Sequence, residues 1–169
     1  MYQSQAQRLV AFLLLLLPLF SLFSCKQSDD FLAWNTPPIS FVGEYEENGV
    51  RFTACFSAEG NTRTVVILSP EASKGLTYQL KNDIVTVAYE NVTEQLDTIP
   101  APLARFLLLY PENAVLSEVT RDGNARLVHV IGDGGSYCYR FETDRLPTLV
   151  TAETKEGHLS LHIHDAHAE

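Results

Sequence analysis

The chain has 169 residues, of which 46% are hydrophobic, and 12 Lys and Arg face 21 Asp and Glu, a net charge of −9 at pH 7. This length predicts a single domain. The acidic balance argues against nucleic acid or an anionic membrane face as the main partner, because both select clustered Lys and Arg.

The first 25 residues have the pattern of an export signal. Their apolar run, residues 9–23, is shorter than the roughly 20 residues that span a bilayer, and Pro18 interrupts it. The run ends in Leu22-Phe23-Ser24-Cys25, which resembles a bacterial lipobox, where the cysteine is acylated and becomes the new N-terminus. An uncleaved signal anchor is the alternative. We predict a signal peptide over residues 1–24, lipidation at Cys25 and a lipidated tether over residues 25–35.

The predicted signal peptide accounts for the excess of apolar residues. Residues 1–24 hold 16 of the 77 apolar residues and one charged residue, Arg8. The remaining 145 residues therefore hold 61 apolar ones, about 42%, with a net charge of −10. These are values typical of a globular domain.

After Pro37-Pro38 the pattern becomes that of consecutive strands joined by tight turns. Asn48-Gly49 is typical of a hairpin turn, because both residues accept a positive φ. Ser69 to Gly75 has the signals of one helical turn. The strands predicted in this half cover residues 39–45, 50–58, 62–68, 76–80, 84–89 and 92–96.

Residues 98–110 differ from their surroundings. Their apolar residues recur at spacings of three and four, which predicts a helix, and few polar positions are left around it. We expect this helix to be buried or to cover a hydrophobic cavity. Strands follow at residues 115–120, 126–131, 136–142, 149–154 and 158–164.

The whole pattern predicts a mainly β (α+β) domain over residues 36–165, followed by a tail at 166–169. About ten strands in consecutive hairpins would form a curved antiparallel sheet folded over the helix at 98–110. Cys55 and Cys138 each point away from the aromatic face of their strand, so a disulfide between them is permitted if the strands are neighbours. Two free thiols are the alternative.

The order of these elements resembles the LolA/LolB-type lipoprotein-localisation fold. The resemblance lies in strand 62–68, the corner SPEASKGL, the strand LTYQL, the turn KND and the strand IVTVAYENVTEQL, where Tyr89-Glu90 fills a characteristic place. The segment DRLPTLV at residues 144–150 is similar to the family's closing strands. The resemblance implies a half-open β-barrel whose concave face, covered by helix, holds lipid acyl chains. It is closer to an anchored member than to a diffusing carrier.

We expect the concave face to bind a hydrophobic ligand, such as a lipid or acyl chain, or an envelope component. The residues expected to line it are the large apolar ones of the inward strand faces and of the helix: Phe52, Phe56, Val66, Leu76, Tyr78, Val85, Val87, Phe106, Leu107, Tyr137, Tyr139 and Phe141.

The C-terminus is rich in histidine. His158, His162 and His164 share one face of the last predicted strand, and a pair spaced by two residues can bind a metal ion. Asp165 or His167 would then complete the site. The simpler interpretation is a solvated strand face.

No motif of nucleophilic catalysis is found: the sequence has neither GxSxG nor SxxK. We therefore predict a non-enzymatic, lipid-anchored extracytoplasmic protein of the cell membrane or outer envelope, with no cofactor and no nucleic acid partner. One alternative is an interaction or sensory lipoprotein with a filled core that binds an envelope protein. The other is a metal-binding lipoprotein that uses the histidine-rich C-terminus.

Overall fold

The structure is a computed structural model that describes residues 38–143, 146–155 and 157–167, with side chains up to residue 164. These residues belong to one compact unit. The predicted signal peptide, Cys25 and the tether lie outside the described residues, as does the end of the tail. Within the described ranges, no helix is long and apolar enough to cross a membrane.

The described residues form eleven antiparallel strands in one curved sheet, which is not closed into a barrel. Consecutive strands pair from β1 to β6 and again from β7 to β11. Pairing of β1 with β11 joins these two halves, so β6 and β7 are the free edges. The strands are β1 Ile39–Glu47, β2 Val50–Glu59, β3 Thr62–Ser69, β4 Thr77–Lys81, β5 Ile84–Tyr89, β6 Val92–Leu96, β7 Val115–Asp122, β8 Ala125–Gly132, β9 Gly135–Phe141, β10 Leu149–Thr154 and β11 Gly157–His167.

The local turn chemistry is as predicted. Asn48 and Gly49 join β1 to β2 with φ values of 52° and 77°. Only a few residue types adopt this left-handed region without strain, which fixes the register of the hairpin. A short 3₁₀ helix, Glu71–Ser73, forms the helical turn expected before β4.

One α-helix, α1 (Ala101–Leu107), crosses the concave face of the sheet. It is shorter than the predicted 98–110. Pro100 is extended at its start, with φ −72° and ψ 157°. Beyond Leu107 the chain continues in tighter turns, in which the N–H of Tyr110 donates to the Leu107 carbonyl at 2.9 Å. Pro111 then ends the helical path, because proline disfavours helical backbone at the preceding residue.

The core lies between α1 and the inner face of the sheet. Phe41 of β1 lies opposite Phe56 of β2, and their rings stack with centroids 5.0 Å apart. Phe106 of α1 contacts both rings edge-on, at 5.8 and 5.4 Å. All three side chains are buried. Gly43 lies beside them because a side chain there would come within 2.9 Å of the Phe56 ring.

We expect Phe106→Ala to lower the free energy of unfolding by about 3–5 kcal/mol, because it removes a buried ring and leaves a cavity. Urea unfolding followed by circular dichroism measures the change. Ile84→Ala, at a half-exposed residue of the outer face, is the control and should change stability by about 0.5 kcal/mol or less. Equal losses in the two variants would contradict this account of the core.

Candidate functional site

The strand register brings most of the predicted lining residues onto one face. Phe56 lies opposite Val65, which lies opposite Tyr78, and Tyr78 lies opposite Val87. On the other half of the sheet, Tyr139 lies opposite Val128 and Val150. Residues that pair directly across an antiparallel sheet share a face. The predicted residues on this inner face or on α1 are Phe52, Phe56, Leu76, Tyr78, Val85, Val87, Phe106, Leu107, Tyr137, Tyr139 and Phe141.

The placement of Val66 on this face is wrong. Val66 lies opposite Cys55 and Thr77, so it belongs to the outer face, and Val65 and Ile67 take the inner places of β3. The sequence Val-Val-Ile-Leu is apolar on both faces, so its alternation does not reveal which face is buried.

The centre of the concave face is filled by packed side chains. Phe56, Phe106 and Tyr139 have no exposed surface. The Tyr139 hydroxyl donates a hydrogen bond of 2.9 Å to the Leu108 carbonyl oxygen, which ties the end of α1 to β9. Burial raises the pKa of Tyr139 well above its usual value, so the hydroxyl keeps its proton and remains a donor.

Two cavities lie at opposite ends of α1. The first, here named the hairpin cavity, has a volume of about 460 Å³ and lies where the helix begins. The second, the Tyr110 cavity, has about 450 Å³ and lies beyond the helix end. Both fall within the roughly 300–1,000 Å³ typical of ligand pockets. The hairpin cavity is lined by Glu46, Glu47, Asn48, Ile99, Ala101, Ala104, Arg105, His158 and Leu159. The Tyr110 cavity is lined by Asn61, Arg63, Leu80, Asn82, Asp83, Leu107, Tyr110 and Glu112.

Arg105 is the most unusual residue of the hairpin cavity. Its side chain is charged, yet the residue is only 9% exposed. Its Nε is buried, and no hydrogen-bond acceptor for it lies among the described residues. The guanidinium carbon lies 5.9 Å from the centroid of the Tyr45 ring, a cation–π contact. An N–H group that is buried without an acceptor costs free energy, which a bound hydrogen-bond acceptor would recover.

The ionisable groups around Arg105 influence one another. Burial raises the pKa of Tyr45 well above its usual value, Glu47 raises it further, and Arg105 acts in the opposite direction. Tyr45 is therefore a neutral hydroxyl between a carboxylate and a guanidinium. His158 lies at the rim, where its Nδ1 is 2.7 Å from an oxygen of Glu153.

The Tyr110 cavity has a related arrangement at the other end of α1. The guanidinium carbon of Arg63 lies 4.5 Å from the centroid of the Tyr110 ring. Arg63 also donates to the carbonyl oxygens of Gly60 and Thr62, at 2.7 and 3.2 Å. The Tyr110 hydroxyl is buried and has no hydrogen-bond partner among the described residues. Arg63 is thus satisfied by the backbone, whereas Arg105 is not.

Sequence reasoning did not identify Arg105 as a site residue. The signal was present, because Arg105 is the only charged residue in the apolar segment 98–110. The guanidinium of a single arginine in such a segment can extend into solvent or be buried with the apolar side chains. Spacing alone does not distinguish these outcomes, because they depend on where β1 and β11 lie around the helix.

The disulfide permitted between Cys55 and Cys138 does not form, and both residues are free thiols. Both lie on the outer face, as predicted, but on β2 and β9, with β1, β11 and β10 between them. Four strand spacings of about 4.8 Å put them roughly 19 Å apart along the sheet, far beyond the ~7 Å between Cα atoms that a disulfide tolerates. The alternative of two free thiols is the observed state.

The metal site predicted at the histidines of β11 is not assembled from the described side chains alone. His158, His162 and His164 share the outer face of the strand, opposite the buried Leu161 and Ile163. In the part of the chain that the structure describes, no group of three His, Cys, Asp or Glu side chains is placed to hold one metal ion. Residues on one strand face are spread along it, so three histidines need ligands from a neighbouring strand to converge. The side chains of residues 165 and 167 lie outside the described residues.

No family model and no curated protein sequence matches the chain. Among solved structures, an uncharacterised conserved protein from Thermus thermophilus matches with a TM-score of 0.53 at 11% identity, over 83% of this chain and 84% of that one. A LolA superfamily protein from Nitrosomonas europaea matches with a TM-score of 0.43 at 13% identity, over 79% of this chain and 88% of that one. Lipoprotein LppX from Mycobacterium tuberculosis matches with a TM-score of 0.38 at 9% identity, over 79% of this chain and 92% of that one.

These likenesses concern the fold alone, because all three identities are low. The architecture expected from the LolA/LolB resemblance, an unclosed antiparallel sheet with a covering helix, is confirmed by the strand order and by the position of α1. What the domain binds has to be argued from its own residues.

We expect Tyr139→Phe to lower the free energy of unfolding by about 1–3 kcal/mol, because it leaves the buried Leu108 carbonyl without its donor. Urea unfolding measures the loss. Tyr89→Phe, at a half-exposed tyrosine, is the matched control and should have almost no effect. A Tyr139→Phe protein as stable as this control would show that the bond does not hold α1 to β9.

Proposed function

We propose that this protein is a membrane-anchored extracytoplasmic lipoprotein that binds a hydrophobic ligand, a lipid or acyl chain, between α1 and the concave face of its sheet, without catalysing a reaction. One observation carries the ligand half of the proposal. In the part of the chain that the structure describes, an apolar sheet face is covered by one seven-residue helix, with an open cavity at each end of that helix.

Helix α1 is held on the sheet mainly by apolar packing. Phe106 and Leu103 are fully buried beneath α1, and Tyr139 adds the hydrogen bond to Leu108 described above. Apolar packing is not directional, so an acyl chain can make contacts of the same kind with the apolar side chains beside α1. A ligand entering at either cavity would extend beneath the helix in this way.

A second candidate function follows from the packed centre of the same face. Phe56, Phe106 and Tyr139 are fully buried there. A filled core of this kind also suits an interaction or sensory lipoprotein that binds an envelope protein. The two functions differ in whether the protein carries a lipid besides its own anchor.

The anchor itself is tested by Cys25→Ser. This change removes the thiol that the lipobox-like sequence would present for acylation, so we expect the acyl groups to be absent from the mature protein. Intact-mass spectrometry of protein from the host membrane measures the diacylglyceryl and acyl groups. Cys55→Ser, at a free thiol of the outer face, is the control and should leave the acylated mass unchanged apart from the substitution. Wild-type protein without acyl groups would refute the anchor.

The ligand half is tested by Ile99→Asp. Ile99 lines the hairpin cavity and is 50% exposed, so a carboxylate there should weaken binding of an added monoacylglycerol roughly tenfold or more without unfolding the domain. Native mass spectrometry of the mature lipidated protein, released from a non-ionic detergent, gives the occupancy. Ile84→Asp is matched in residue type, charge change and exposure, also 50%, but lies on the outer face.

We expect the Ile84→Asp protein to bind as the wild type does. If the wild-type protein carries no lipid from its host and takes up no monoacylglycerol, the ligand half of the proposal fails. The filled-core interaction protein is then the better interpretation of the fold.

A further inference from the structure

We propose that the hairpin cavity binds the zwitterionic headgroup of an acyl lipid, with an oxyanion of the headgroup on Arg105 and its ammonium group beside Glu47. The inference rests on the proposed function and adds the class of ligand to it. Three features of the cavity carry it: a nine-tenths buried arginine whose Nε has no acceptor among the described residues, a carboxylate within the same lining, and apolar lining residues.

The guanidinium supplies the first half of the site. Arg105 is nine-tenths buried, and its Nε has no acceptor among the described residues. Among the ion pairs of the described residues, none includes Arg105, although Glu46 and Glu47 line the same cavity. A guanidinium binds a carboxylate or phosphate through two parallel hydrogen bonds. A bound oxyanion would therefore remove the cost of burying Arg105.

The carboxylate supplies the second half. Glu47 belongs to the inward-facing side of β1 with Tyr45 and is partly buried. A ligand carrying only negative charge would be repelled by Glu46 and Glu47 as it approached Arg105. A ligand with an ammonium group next to its oxyanion satisfies both signs at once. The charges of the lining thus favour a zwitterion over a simple anion.

The apolar wall gives the rest of the ligand a place. Ile99, Ala104 and Leu159 are the apolar residues of this lining. The carboxylate of Glu47 and the neutral amide of Asn48 come from the β1–β2 hairpin. One cavity that joins a charged wall to an apolar one suits an amphipathic molecule. The acyl chain would then run towards the aromatic core while the headgroup stays at the hairpin.

The test compares three ligands of equal chain length on the mature lipidated protein, by native mass spectrometry. These are lysophosphatidylethanolamine, with a zwitterionic headgroup, lysophosphatidylglycerol, with an anionic one, and monoacylglycerol, with a neutral one. We expect the wild-type protein to prefer lysophosphatidylethanolamine to monoacylglycerol by roughly tenfold to a hundredfold, because hydrogen bonds to charged groups have that strength.

Variants separate the two halves of the site. Arg105→Met keeps the apolar stem but removes the guanidinium. This variant should therefore bind the two phospholipids as weakly as it binds monoacylglycerol. Arg105→Lys keeps the charge but loses the two-pronged geometry, so its preference should be intermediate. Glu47→Gln should remove the preference for the zwitterionic over the anionic headgroup. Arg51→Met is the matched control, since Arg51 is exposed on the outer face, and it should leave every preference unchanged.

Stability in the absence of ligand provides a readout independent of binding. Because the Nε–H of Arg105 is buried without an acceptor among the described residues, Arg105→Met should leave the urea midpoint unchanged or raise it. A marked fall in that midpoint, matched by an equal fall for Glu47→Gln, would overturn the inference. It would mean that Arg105 and Glu47 satisfy each other and require no ligand.

The ligand comparison distinguishes failure of this inference from failure of the proposed function. Equal binding of monoacylglycerol and lysophosphatidylethanolamine by the wild type overturns the headgroup site and leaves the hydrophobic ligand intact. Binding of none of the three overturns both.

Free phosphoethanolamine is added as a separate arm. If it binds with the same dependence on Arg105, the headgroup site is supported and a soluble molecule is identified as a source of the ligand.

Discussion

The packing of Phe106 on Phe41 and Phe56 is the contact on which the rest of the structure depends. The sheet is open, with β6 and β7 as unpaired edges, so pairing of its strands does not by itself enclose a core. The concave face has to be covered, and α1 is the helix that crosses it. An edge-on aromatic contact with two stacked rings fixes the helix in position and rotation more tightly than aliphatic packing would.

Fixing α1 by Phe106 also determines where Arg105 lies. Neighbouring residues of a helix point about 100° apart, so a helix that buries Phe106 against β1 and β2 directs Arg105 towards the hairpin that joins them. Tyr45 lies under the guanidinium there. The side chain is then too enclosed to be hydrated fully and has no protein partner for Nε among the residues that the structure describes. Core packing and an unsatisfied charge are therefore consequences of the same helix placement.

The sequence predicted the features that depend on neighbouring residues. Phe52, Ala54 and Phe56 alternate with polar residues, so their shared face could be identified, and Asn48-Gly49 specified its turn. The same reasoning failed for Val66, whose neighbours are apolar on both sides, and it left open whether the cysteine pair forms a disulfide or two free thiols. Whether Cys55 and Cys138 meet depends on the order of strands in the sheet. That order follows from pairing of β1 with β11, the first and last strands of the described residues, which no local pattern reveals.

The predicted lining residues were largely assigned to the correct face, yet that face has two parts with different roles. Residues in its middle, such as Phe56 and Tyr139, stabilise the fold by filling it. Open volume remains where α1 stops covering the sheet, at the hairpin and near Tyr110. A short helix on a wide sheet produces this division, because seven residues rise only about 10 Å. Binding specificity in such a domain is thus expected from the residues at the helix ends, where charge and apolar surface meet.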